Sequence, residues 1–228
     1  MKKKFYSELS YVFGLVILAL GTAFMERADF GLSMIVAPAY ILHLKISQTL
    51  LDFFSFGMAE YCIQLLLIIL TSIIMKRFRI YYLLSLATAV IYGIVLDLLM
   101  KPVALIPAGS FPVRSAMFFV GMLLCAFGVT LLLHTYFAPE AYELLVKEIS
   151  EKRKKSITFV KTIYDVSSLV ISVVLSFCFF GFGHFEGINV GTLISAVFNG
   201  WLIGRMCAWF DRKFELTDLL KIRKFFTL

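Results

Sequence analysis

The sequence predicts an all-α membrane protein whose six transmembrane helices form two inverted three-helix repeats. Three observations predict it. Of the 228 residues, 61% are hydrophobic and 16% charged, and mean hydropathy is +0.91. A soluble domain is about 45–50% apolar and about 25% charged, and so short a chain has no interior able to hide this much apolar surface. Six apolar runs each approach the roughly 20 residues that a membrane crossing needs. Finally, a gap-free shift of 107 residues carries the first three runs onto the last three. Together these exclude an ordinary soluble enzyme, a disordered chain and a secreted disulfide scaffold.

The runs are roughly Leu9–Met25, Phe53–Met75, Ile80–Leu99, Ser115–Thr135, Phe159–Phe182 and Asn189–Phe210. Each must be helical, because lipid offers no partner to an open backbone group. Lys2–Lys4 followed by an apolar run also fits a signal peptide, but this segment has a counterpart later in the chain. With both termini inside, 18 of the 22 Lys and Arg lie on the cytoplasmic side; Arg27, Lys45, Lys101 and Arg114 remain outside. That bias sets the expected topology. It also accounts for the net charge of +7 without nucleic acid, for which no basic and aromatic surface repeat is present. Cys62, Cys125, Cys178 and Cys207 lie within apolar runs with no CxxC pair, and read as small hydrophobes.

Between the runs, residues 139–155 read as a cytoplasmic surface helix. Pro139 suits its first turn, and Glu143–Lys147, Glu148–Lys152 and Glu151–Lys155 are spaced i,i+4. The basic tail 211–228 either lies on the anionic inner leaflet or is solvated. Residues 31–51 read as an apolar outer loop interrupted by Pro38, which dips into the membrane or lies on it.

The duplication pairs Gly14 with Gly121, Ala19 with Ala126, Gly21 with Gly128, Phe30 with Phe137, Ala89 with Ala196, and Gly93 with Gly200. Residues 1–107 form the first repeat and 108–228 the second. An odd number of spans per half places the halves upside down relative to each other. The loop charges agree: Lys76, Arg77 and Arg79 occupy the cytoplasmic loop of the first half, and Gly183, His184 and Glu186 the matching outer loop of the second. Inverted repeats recur in transporters, with a site near the midplane.

The third and sixth runs carry matching polar stripes, Ser85–Thr88–Tyr92 and Thr192–Ser195–Asn199, each on one helical face. Small residues run beside them: Ala89 and Gly93, then Gly191, Ala196, Gly200 and Gly204. Two readings stand. The stripes and the Gly187-x-x-x-Gly191 and Gly200-x-x-x-Gly204 pairs glue helices together, or the stripes line a polar, substrate-binding cavity. Ionisable residues inside spans are functional candidates. Glu60, with Gln64 one turn on, and Asp165 sit in the middle span of each half, in proton or cation coupling, in holding a cationic substrate, or in an ion pair with Arg205 or Lys161. Asp97, His134 and Arg205 also fit interfacial snorkelling.

The run Gly187-Ile-Asn-Val-Gly-Thr-Leu-Ile-Ser-Ala-Val-Phe-Asn-Gly200 resembles the G-x-G-T-x-x-x-A-x-x-x-G segment of YczE/YitT-type bacterial membrane proteins. Lys161-Thr-Ile-Tyr-Asp165 resembles that family's entry to the fifth span. The chain departs at Asn189, where glycine is usual, and at Trp201, where proline is frequent. It lacks the soluble C-terminal domain of the YitT branch, so the YczE-like branch fits better. The resemblance implies a multi-pass protein of the bacterial plasma membrane and supports the fold more than an activity.

No HExxH, GxSxG, Walker loop or metal-spaced His/Cys set is present. The expectation is no enzyme, no cofactor and no metal. The first functional reading is a secondary-type transporter or permease for a small molecule or ion, in contact with membrane lipids. Six helices leave little room for a closed pathway, which points to a homodimer. The alternatives are an accessory or scaffold protein for another membrane complex and, more weakly, a lipid-modifying enzyme.

Overall fold

A computed structural model of the chain describes residues 2–31, 33–49, 53–54, 56–183, 185 and 188–220. In chain order the elements are β1 (Lys3–Tyr6), α1 (Ser7–Ala28), α2 (Ala37–Thr49), α3 (Phe56–Met75), α4 (Ile80–Ala104), α5 (Phe111–His134), α6 (Ala141–Arg153), α7 (Ile157–Phe180), α8 (Val190–Lys213) and β2 (Phe214–Thr217). Six helices, all but α2 and α6, are long and apolar enough to cross a membrane. They coincide with the six expected runs to within a few residues at each end. Their outward faces carry Leu66, Ile73, Ile94, Leu98, Val170 and Val174, the surface a helix presents to lipid rather than to water. The protein is therefore a multi-pass membrane protein.

The order of elements repeats: long, short, long, long, twice. Both short helices have 13 residues, about 20 Å at 1.5 Å per residue and too short to span. Packing partners exchange with the halves. α2 lies on α3 and α7, as α6 does on α7 and α3; α1 packs on α4 and α5, as α5 does on α8 and α1.

The α1–α5 pair is the centre of the bundle, and it is antiparallel. Ser10 Oγ donates to Leu131 O (3.0 Å) and Ser7 Oγ accepts from Tyr136 N (3.3 Å) at one end, while Arg114 donates to Ala28 O (2.7 Å) at the other. Glycine makes the close approach achievable. A Cβ on Gly14 would meet Gly128 O at 3.2 Å, and one on Gly121 would meet Gly21 O at 2.7 Å. The glycines matched by the 107-residue shift thus meet each other's counterparts across the pair.

The first and last described elements, β1 and β2, lie at the same end of the bundle. β1 and β2 pair in parallel, with Lys3 opposite Phe214 and Tyr6 opposite Thr217. Glu8 accepts backbone N–H bonds from Leu219 and Leu220 (3.0 and 2.9 Å). Phe5, Phe210 and Phe214 pack beneath the strands. Residues 211–220 are therefore not a free tail. The ladder satisfies backbone groups that a leaflet-bound or solvated segment would leave to water; residues 221–228 lie outside the described residues, as do His184, Glu186 and Gly187.

Two connecting segments differ from expectation. Pro38 does not interrupt a loop. It is the second residue of α2, where its missing N–H costs nothing, and Ala37, Pro38, Ala39 and Ile41 are buried. The helix at 139–155 exists, but it is not a surface helix. Tyr142, Glu143, Leu144, Leu145 and Val146 are buried, and only its last turn is exposed. Glu148, expected to pair with Lys152, instead accepts from Tyr82 Oη (3.0 Å) and lies 3.8 Å from the Arg77 and Arg79 guanidinium groups. Lys152 donates to Ile74 O (2.6 Å). The apolar residues in its first two turns draw α6 inward between α3 and α7, taking its acids with it.

Candidate functional site

Where α6 enters the bundle, it brings acids against the middle spans of both halves. Lys161, one turn ahead of Asp165 on α7, is 1% exposed. Its Nζ lies 3.1 Å from Asp165 Oδ1 and donates to Glu143 Oε1 of α6 at 3.3 Å. The same ammonium sits 5.5 Å from the centre of the Tyr164 ring, within reach of a cation–π contact. Next to Glu143, Tyr142 Oη donates to Glu60 Oε1 on α3 (2.8 Å), and the Gln64 amide lies against the same carboxylate. Glu140, on the turn before α6, interacts electrostatically with Glu60, Glu143 and Lys161. Its backbone carbonyl accepts the Leu144 N–H (2.8 Å), so the side chain is placed by the first turn of α6.

The network holds Glu60, Glu140, Glu143 and Asp165 against Lys161. The three acids other than Glu60 are at most 7% exposed. Fully ionised, it would carry three negative charges in excess in a poorly solvated place, an arrangement that burial makes expensive. Burial first, then the neighbouring Glu143 and Glu60 charges, push the Glu140 carboxyl well above the ordinary range, and Lys161 offsets this in part. Burial and the adjacent Glu60 likewise raise the Tyr142 phenol. The hydrogen-bond inventory is short of donors. Among the described residues, the buried atoms Glu60 Oε2, Gln64 Oε1, Glu140 Oε1, Asn199 Oδ1 and Ser85 Oγ have no hydrogen-bond partner, nor do Oδ1 and Oδ2 of Asp165, whose Oδ1 is ion-paired with Lys161. The first four are acceptors in their present roles, and buried acceptors of this kind are normally paired.

The polar stripes flank this network from opposite sides. Their main packing partners differ: α4 packs on α1, α3 and α6, while α8 packs on α7 and α5. On α4, Thr88 donates to Ala138 O (2.7 Å) and bonds Tyr11 Oη (2.9 Å), and Tyr92 Oη donates to Thr22 Oγ1 (2.8 Å). On α8, Thr192 belongs to the cap. Its Oγ1 accepts from Asn189 N (3.4 Å), while Asn189 Oδ1 accepts from Val190 N (2.8 Å). Ser195 bonds back to Gly191 O (2.6 Å). Asn199 is different: its amide lies against Asp165. Segment 138–143 bridges the stripes, from Ala138 under Thr88 to Glu143 at Lys161.

The glycines of α8 serve close packing. A Cβ on Gly200 would come within 2.8 Å of Thr162 N on α7, and one on Gly204 within 2.8 Å of Thr158 Cβ. Gly93, its counterpart on α4, faces open space.

Residues 5–208 match the family DUF6198, described as a family of unknown function. The match runs from β1 into the last turns of α8 and takes in every residue of the buried network. The chain belongs to the DUF6198 family. It is also similar to the uncharacterized protein YyaS of Bacillus subtilis (strain 168), 29% identical over 195 residues, covering 85% of this chain and 88% of that protein. No solved structure matches.

Arg205 is not in the network. It lies on the exposed face of α8, its guanidinium 5.8 Å from the Trp201 ring, and Lys161 supplies the counter-charge to Asp165. Glu140, Tyr142, Glu143 and Tyr164 were not singled out as site residues from the sequence. The available signal was the cluster Ala141, Tyr142, Leu144, Leu145 and Val146, too apolar for a solvated helix.

Proposed function

We propose that this DUF6198 protein is a secondary transporter or permease for a small molecule or ion, and not an enzyme. In this reading it has two inverted three-helix repeats, lies in a bacterial plasma membrane with both termini cytoplasmic, and uses no cofactor. The observation that carries the reading is the buried charged network at the junction of the halves. Glu60 comes from the first half; Glu140, Glu143, Lys161 and Asp165 come from the second. Polar groups this costly are retained where ions or substrates pass, and in inverted-repeat transporters the site lies at the repeat interface. The antiparallel α1–α5 pair and the exchange of packing partners support the inverted repeat. The resemblance of the run Gly187–Gly200 to YczE-type proteins belongs to the same proposal, and a homodimer is its expected assembly.

The scaffold reading has one observation in its favour: an aromatic groove lined by Phe5, Phe13, Phe127, Trp209 and Phe214, open on the surface near the termini. Spin-label distances in lipid nanodiscs separate the two readings. Labels at Lys101 and Phe182 report on the outer end, and labels at Ile80 and Lys155 on the inner end. A transporter gives two populations at each end, one end widening as the other narrows. A single narrow distance at both ends overturns the transport reading.

A further inference from the structure

We propose that the coupling ion is the proton, carried by the buried, unpartnered carboxyls of Glu140, on the turn before α6, and Glu60, on α3. This rests on the transport reading above and names the ion that its buried site carries.

The argument begins with the cation available. Lys161 is already shared between Glu143 and Asp165, at 3.3 and 3.1 Å. The other titratable groups facing the Glu140–Glu60 pair are Tyr142 and Glu143 from α6, Tyr164 from α7, Tyr11 from α1 and Tyr92 from α4. None of these supplies positive charge. Two carboxylates held near each other in a poorly solvated place cannot both stay ionised, and one retains a proton.

The hydrogen-bond inventory points the same way. Glu140 Oε1 and Glu60 Oε2 each lack a partner, and so does Oε1 of Gln64, an uncharged amide only 2% exposed and seated against Glu60. A hydrogen on either acid converts one of these unpartnered acceptors into a donor. A metal ion suits the place less well. Among the described residues, no three His, Cys, Asp or Glu side chains converge as metal ligands do. A proton needs only two oxygens and no cavity.

The position gives the proton leverage. Glu60 belongs to the first half and Glu140 to the second. With the proton bound, Glu140 is neutral and the turn before α6 rests beside α3 without repulsion from Glu60. When the proton leaves to water, two carboxylates remain and repel, which favours separation of that turn from α3. A ligand shifts a two-state equilibrium by its differential affinity for the states, and here the proton is that ligand.

The test is infrared difference spectroscopy of the full chain in lipid nanodiscs across a pH titration, reading the carbonyl stretch of a protonated carboxylic acid. The proposal expects that band in the wild type at neutral pH, lost on alkalinisation. It expects the band to be absent in Glu140→Gln, shifted in Glu60→Gln and unchanged in Glu215→Gln, an exposed control. A wild-type spectrum without the band at neutral pH overturns the proposal, as does a band untouched by both network variants. Melting in sodium chloride against choline chloride adds an arm. A sodium-dependent rise in Tm that Glu140→Gln removes assigns the site to a metal cation and overturns the proton. The band is read without any flux, so two-state spin-label distances with no band fail the proton alone, and a band with one fixed distance fails transport alone.

Discussion

Gly21 and Gly121 cross back to back at the centre of the α1–α5 pair, so tightly that a methyl group on Gly121 would come within 2.7 Å of the Gly21 carbonyl oxygen, and one on Gly21 within 2.7 Å of that of Gly121. Neither obstacle is a flexible side chain; both are helix backbone. Gly21→Val should therefore force the central helices apart and destabilise the fold by about 1–3 kcal/mol. Gly93→Val, in open space, should change stability by a few tenths of that. Thermal melting in detergent compares them.

Lys161 is the described counter-charge for Glu143 and Asp165, all three at most 4% exposed. Lys161→Met should cost about 3–5 kcal/mol, because it leaves buried charges uncompensated. Adding Glu143→Gln and Asp165→Asn to the same chain should restore most of the loss. Additive losses in the triple variant would mean that the three side chains are not one electrostatic unit.

The spans were legible in the sequence because lipid imposes a single demand, about 20 apolar residues per crossing, and composition alone reports it. The site was half legible. Glu60, Asp165 and Asn199 stood out as polar residues in apolar helices. Glu140 and Glu143 did not, because a 13-residue helix with Glu and Lys at i,i+4 reads as solvated until its depth in the bundle is known. Thr192 and Ser195 gave the opposite error of emphasis. Spacing placed them on the stripe with Asn199, but one completes the cap of α8 and the other bonds its own helix. Periodicity fixes a face and not the depth of each residue along it.

Glu140 makes stability depend on pH. Below its ordinary value of 4.5, the carboxyl is protonated in both the folded and unfolded chain. Above that value the unfolded chain releases the proton while the folded chain, with its raised pKa, keeps it. Stability then falls as pH rises, by up to about 1.4 kcal/mol per pH unit, until the native group titrates. Glu140→Gln should flatten that part of a Tm-against-pH curve. An unchanged slope would place the native proton elsewhere.

β1 and β2 share one end of the bundle, and the proposed topology puts that end in the cytoplasm. Cysteines placed at Ser110 and Lys154, in a chain with the four native cysteines replaced, should label from opposite sides of the membrane. Ser110 should react with an impermeant reagent added outside. Labelling of Lys154 from outside would turn the protein over.

Transport is the central claim, and flux tests it most directly. Proteoliposomes loaded with a small-molecule extract of bacterial cells, under an imposed pH gradient, should release at least one compound faster than protein-free liposomes, as read by mass spectrometry. Asn199→Leu should abolish that release with Tm nearly unchanged. No compound released faster than from protein-free liposomes, or an Asn199→Leu variant that loses stability but keeps full flux, would contradict the account.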